Sequence, residues 1–239
     1  MLDRKRIVLL HGWGASTNKL DPLGKELHRL GWKVSIPKLP GFDISPPKKP
    51  WGIGEYAEYV IKETQKIWER KGFFIFGHSF GGRIAIKLAG INNKQFLGII
   101  LCSASGLSRG NLLKRVAFWV LAKAGKILSI VPPIAKIWRK LLYKVAREHD
   151  YEKTQGVMKE TFKKVISENV RPIIENIEIP TLILWGRQDR MTPISDAYCL
   201  KQILPGSKLI IFNNEGHQLP YHKPRKMAEK IDQWTKSLT

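Results

Sequence analysis

The sequence predicts an α/β fold, a mostly parallel sheet of about six strands with helices on both faces. Three observations carry this expectation. Short, near-continuous apolar runs alternate with longer stretches of helical periodicity, the pattern of strands buried on both sides. Glycine and proline punctuate the boundaries between the two kinds of segment. The chain has 239 residues, 43% of them hydrophobic, which suits one domain of the larger α/β kind. At that size folding removes roughly 70–75% of the unfolded surface from water, so no disulfide or metal staple is required.

Each element can be justified in order. Ile7 to Leu10 is an apolar strand that runs into the Gly-rich loop His11-Gly12-Trp13-Gly14. A helix from about Pro22 to Leu30 stops at Gly31, a C-terminal stop signal. Trp32 to Ile36 is the second strand, ended by Pro37 and by the Pro40-Gly41 turn. Tyr56, Val60, Ile61, Ile67 and Trp68 mark a long amphipathic helix that closes at Gly72. Phe73 to Phe76 is a strand, with the helix Arg83 to Gly90 behind it, and Leu97 to Cys102 is the fourth strand. Thr181 to Trp185 and Lys208 to Phe212 complete the sheet, with a helix near Ile194 to Ile203 between them and a last helix from Lys223 to Trp234.

Residues 107–179 break the rhythm, because they contain helical patterns and no strand pattern. They also carry much of the charge. The whole chain has 41 Lys and Arg against 20 Asp and Glu, a net charge of +21. From Leu107 to Arg147 there are ten basic residues and no acidic one, on helices with apolar faces. Such a surface favours polyanions, acidic lipid headgroups or an acidic protein. It contains no recognised nucleic-acid module, so a specific nucleic-acid role is not expected.

Cys102 and Cys199 are far apart and form no CxxC, which excludes a disulfide framework and a cysteine zinc site and fits a reducing compartment. The first apolar run is too short for a secretory signal, and no uncharged apolar stretch approaches 18 residues. A soluble, cytoplasmic protein is expected. No metal-binding or nucleotide-binding motif is present, and no cofactor is expected.

The strongest chemical signal is Gly77-His78-Ser79-Phe80-Gly81-Gly82, directly after a strand and directly before a helix. This is the G-x-S-x-G nucleophile elbow in its proper context. A sharp strand-to-helix turn strains the serine backbone, and glycines at 77 and 81 remove the β-carbons that would collide there. A serine hydroxyl needs a base, and the base needs an orienting group. Asp189 follows the fifth strand and His217 the sixth, in the chain order Ser79, Asp189, His217. Both lie just past the C-terminal ends of parallel strands, where open α/β sheets build their sites.

On these motifs, with His11-Gly12-Trp13-Gly14 and Leu39-Pro40-Gly41-Phe42, the chain resembles the α/β-hydrolase superfamily over nearly its whole length. The resemblance implies a serine hydrolase of the carboxylesterase kind, with an N-terminally shortened sheet. It implies a core made of residues 1–106 and 180–239 and an inserted helical cap, or lid, at 107–179. It assigns the oxyanion-hole amides to Trp13 and Phe80, and it makes Trp119 and Trp138 candidates for an acyl-binding pocket. A nucleophilic serine argues against the haloalkane dehalogenases and epoxide hydrolases, which place aspartate there.

The expected reaction is carboxylic ester hydrolysis through an acyl-enzyme. The segment Trp185 to Asp189 also resembles the acid segment of meta-cleavage C–C bond hydrolases. The His11 loop resembles that of pimeloyl carrier-protein methyl ester esterases, whose acidic carrier would suit a basic cap. A membrane surface or an acidic small ester would suit it too. From another class, the chain could be a non-catalytic binder that keeps the fold. Of the other acids and histidines, His78 reads as a packing or hydrogen-bonding neighbour and His11 as a group that orients its own loop. Asp43 is an alternative acid, Asp196 and Asp232 read as solvated, and His222 reads as the start of a surface helix.

Overall fold

The computed structural model describes residues 5–69, 71–91, 95–107 and 155–238. Six strands form one parallel sheet: β1 (Arg6–Leu10), β2 (Lys33–Ser35), β3 (Phe73–His78), β4 (Phe96–Cys102), β5 (Thr181–Gly186) and β6 (Lys208–Phe212). Their spatial order is β2-β1-β3-β4-β5-β6. The chain steps outward from β1 to β2 and then returns to the other side of β1 with β3, whose Gly77 pairs with Leu10. That reversal is the switch point at which open α/β sheets leave a crevice beyond their strand ends.

Strand periodicity sorts the core into two layers. Val8, Leu10, Ile75, Ile99, Leu101, Ile183 and Trp185 face α2 (Ile53–Trp68), α3 (Phe80–Ala89) and α6 (Ile194–Ile203). Ile7, Leu9, Phe74, Phe76, Ile100, Leu182 and Leu184 face α1 (Asp21–Arg29) and α8 (Pro224–Lys236). Successive side chains of one strand point to opposite faces, so both faces must be apolar once both carry helices. β1, β3 and β5 are buried along their whole length.

Between β4 and β5 lie α4 (Gly156–Ser167) and α5 (Arg171–Ile174). The helix α4 and Glu168, just past its end, supply hydrogen-bond partners to amides at the start of α2. Thr161 Oγ1 accepts from the Trp51 amide at 3.1 Å, and Glu168 Oε1 accepts from the Ile53 amide at 2.9 Å. Buried Arg83 on α3 donates to the Val165 carbonyl at 2.6 Å and also reaches the Glu168 carbonyl, closing the far end of α4. An arginine there also matches the negative end of the helix dipole. The rest of the expected cap, residues 108–154, lies outside the described residues, and with it Trp119, Trp138 and the ten cations.

Two acids expected to be solvated are buried instead. Asp232 accepts from Lys5 Nζ at 2.7 Å, Trp32 Nε1 at 3.0 Å and Lys236 Nζ at 2.7 Å, tying α8 to the sheet. Asp196 sits under the first turn of α6, where burial pushes its carboxyl up to about 6. His222 ends the short helix α7 (Leu219–His222) rather than starting one. Among the described residues no helix is long and apolar enough to cross a membrane.

Candidate active site

Ser79 joins β3 to α3 with φ 52° and ψ −110°, a region that costs a non-glycine residue about 1–3 kcal/mol. The neighbouring chain holds it there. A β-carbon on Gly77 would lie 2.3 Å from the Gly81 carbonyl oxygen, and one on Gly81 would lie 2.3 Å from that of Leu10. The Ser79 amide donates to Cys102 O at 3.1 Å, and its carbonyl accepts from the Ser105 amide at 3.2 Å. The turn is therefore pinned to the end of β4 and packed against the end of β1.

Asp189 is buried in the loop after β5, and all its acceptor positions are used. Oδ1 accepts from the amides of Met191 at 2.9 Å and Thr192 at 2.8 Å. Oδ2 accepts from Thr192 Oγ1 at 2.9 Å and from His217 Nδ1, also at 2.9 Å. Burial acts to raise the Asp189 pKa. The hydrogen bond and charge of His217, helped by the Thr192 amide, outweigh it and hold the carboxyl below its usual range. A carboxylate facing Nδ1 fixes the proton there and leaves Nε2 of His217 as the basic nitrogen.

Ser79 and His217 line one pocket of about 640 Å³ with Trp13, Phe42, Met158 and Tyr221. Among the described residues no hydrogen bond joins the Ser79 hydroxyl to the His217 ring. Such contacts are often long before substrate arrives. Phe80 is the first residue of α3, where a helix leaves its amides without intrahelical acceptors. The Trp13 and Phe80 rings meet edge to face at 5.2 Å, and Trp13 also meets Phe42 and Phe162 of α4, each at 4.9 Å. The two residues expected to supply oxyanion amides thus stand side by side at the switch point, with α4 against them.

His11 and His78 settle into supporting places. His11 is fully buried; its Nδ1 lies 2.8 Å from Gly12 O and its Nε2 lies 3.0 Å from Asp43 Oδ2. Asp43 also accepts from the Thr17 amide and hydroxyl, so it braces the loops around β1 and does not reach His217. His78 Nε2 lies 2.8 Å from the His217 carbonyl oxygen, and its Nδ1 lies 3.0 Å from the Tyr221 hydroxyl.

Sequence reasoning did not single out Thr192 or Tyr221. Thr192 carried a signal, since an Asp followed three residues later by Thr is the pattern of a self-capping loop. Tyr221 carried none, because its partner His78 is 143 positions away.

A family model described as Serine aminopeptidase, S33 (Hydrolase_4) matches residues 3–223, nearly the whole chain. The chain belongs to this family. It is also 25% identical over 231 residues to a pimeloyl-[acyl-carrier protein] methyl ester esterase of Neisseria meningitidis, covering 89% of this chain and 86% of that one. It is 23% identical over 227 residues to Lipase 3 of Moraxella sp., covering 88% and 71%. Among solved structures, a thermophilic esterase from Thermogutta terrifontis superposes with a TM-score of 0.73 at 17% identity, covering 97% of this chain and 89% of that one. The protein is a serine-hydrolase-type member of the α/β-hydrolase superfamily, with esterases and lipases among its relatives.

Proposed function

We propose that the protein hydrolyses carboxylic esters through an acyl-enzyme on Ser79. The observation that carries this reading is the Asp189–His217 hydrogen bond, with His217 lining the same pocket as a strained Ser79. Ser79 Oγ attacks the ester carbonyl carbon while His217 Nε2 takes its proton. Asp189 steadies the imidazolium that forms. The negative oxygen of the tetrahedral intermediate is received by the amides of Trp13 and Phe80, each donor contributing about 3–4 kcal/mol in related chemistry. His217 returns the proton to the departing alkoxide, and the alcohol leaves. Water, deprotonated by His217, then releases the carboxylic acid and regenerates Ser79.

The family description names aminopeptidases, while esterases and lipases stand among the relatives. Among the described residues, Lys19 lines the pocket. A specific observation favours a second, narrower reading, an ester carried on an acidic protein. Lys19 and the net charge of +21 would attract such a substrate, and a relative that acts on a carrier-protein ester aligns over 89% of this chain.

The test is covalent. A fluorophosphonate is expected to add to Ser79 of the wild type and not to Ser79→Ala. The wild type is also expected to cleave a series of p-nitrophenyl esters from acetyl to palmitoyl, and Ser79→Ala to lose that turnover. Folded wild type that neither labels nor turns over any ester would make the molecule a binder instead.

A further inference from the structure

The ring of His78 is buried immediately beside the ring of His217, with centroids 4.9 Å apart, yet the proposed chemistry gives it no step. Its two nitrogens are both engaged, and the engagement has a fixed direction. The His217 carbonyl oxygen can only accept, so His78 Nε2 carries the hydrogen of that 2.8 Å bond. Burial, reinforced by the neighbouring His217, pulls the His78 pKa down to about 3 and keeps the ring neutral. In a neutral ring Nδ1 is then the acceptor, and the Tyr221 hydroxyl 3.0 Å away must donate to it. Gly12 also packs on the same edge of His78, where a β-carbon would come within 3.1 Å of Nδ1.

We infer that Tyr221 and His78 are positioning residues that fasten the loop after β1 to the backbone of His217, so that the oxyanion donors and the general base hold one register. The inference rests on the hydrolase reading of Ser79 and adds a coupling between two halves of its site. Both links point the same way, Tyr221 hydroxyl to His78 Nδ1 and His78 Nε2–H to the His217 carbonyl. A chain of this kind is mutually polarised, so each bond strengthens its neighbours. The two bonds join His78, at the end of β3 next to Ser79, to the segment after β6 that carries His217, and Gly12 of the loop after β1 packs against the same ring. Neither side chain need touch the reacting atoms. Their contribution is geometric, and small displacements of catalytic groups cost large factors in rate.

Tyr221→Phe keeps the ring and removes the hydroxyl. It is expected to lower kcat roughly ten- to a hundredfold with KM within about twofold and the melting temperature nearly unchanged. His78→Gln can still present an N–H to the His217 carbonyl and is expected to retain much more kcat than His78→Ala. Nitrogen NMR of the wild type at neutral pH is expected to show His78 as the Nε2–H tautomer. In Tyr221→Phe that resonance is expected to move.

An unchanged kcat in Tyr221→Phe, or an Nδ1–H tautomer in the wild type, would overturn the inference. So would a loss of turnover that tracks a lowered melting temperature in both Tyr221→Phe and His78→Gln, the behaviour of ordinary packing. Failure of the hydrolase reading looks different, because wild type would then show neither label nor ester turnover. The tautomer would still test the relay in that case.

Discussion

Asp189 spends two backbone amides, one hydroxyl and one imidazole on its two oxygens, so its geometry is over-determined. Asp189→Asn keeps the shape but presents an N–H or a weaker acceptor to His217 Nδ1, which favours the wrong tautomer. In related triads that error lowers kcat by about 10⁴, and a fall of 10³–10⁴ is expected here from steady-state kinetics, with fluorophosphonate labelling slowed in parallel. Gly81→Ala tests the strain directly. Its methyl would sit 2.3 Å from the Leu10 carbonyl oxygen, a rigid neighbour, so a stability loss of about 2–3 kcal/mol is expected in denaturant titrations. At this scale the sequence was most readable where signals are local. Gly77 and Gly81 flag Ser79, and strand ends flag Asp189 and His217. Tyr221 was silent because its meaning comes from His78 at the end of β3, which in turn bonds a backbone carbonyl after β6 and packs against Gly12 of the loop after β1.

Element identities were legible, and their bounds were shifted mainly by pairing. β3 runs on to His78, beyond the apolar run that ends at Phe76, because Gly77 and His78 pair with Leu101 and Cys102 of β4. Likewise α2 begins at Ile53, three residues before Tyr56, since Glu168 and Thr161 serve amides at its entrance from more than a hundred positions away. Asp196 shows how an element can mislead. A carboxylate in the first turn of a helix is normally favoured by the dipole. Here burial, together with the charge of Asp189, wins and raises its pKa from 3.8 to about 6. For an acid the sign is then fixed. The folded state binds the proton more tightly than the unfolded chain, so this residue's contribution to stability declines as pH rises from about 4 through 6. At about 1.4 kcal/mol per pKa unit, Asp196→Asn is expected to stabilise the protein by about 2–3 kcal/mol above pH 7. Melting curves should show little gain near pH 4, and a gain independent of pH would exclude this origin.

Over the whole molecule the net charge is +21, and Lys19 lines the pocket. The sequence showed the excess plainly but not its direction, since orientation is a property of the folded surface. Lys19 supplies one bearing. Its turn, Thr17–Lys19, is held by Asp43, which binds the Thr17 amide and hydroxyl at 2.8 and 3.0 Å and is itself braced by His11. The backbone that carries Lys19 is therefore fixed at the wall of the pocket. A field of this sign accelerates capture of anions and weakens as the screening length falls from about 30 Å at 0.01 M salt to 8 Å at 0.15 M. An ester bearing a remote carboxylate, such as the p-nitrophenyl hemiester of glutaric acid, is expected to lose kcat/KM steeply across that range. The uncharged valerate ester of similar size is expected to stay flat. Lys19→Gln should lower kcat/KM for the hemiester several-fold and leave the valerate within about twofold, because screening acts on charge and not on chemistry. Parallel salt profiles for the two esters would show that the excess charge has no bearing on what enters the site.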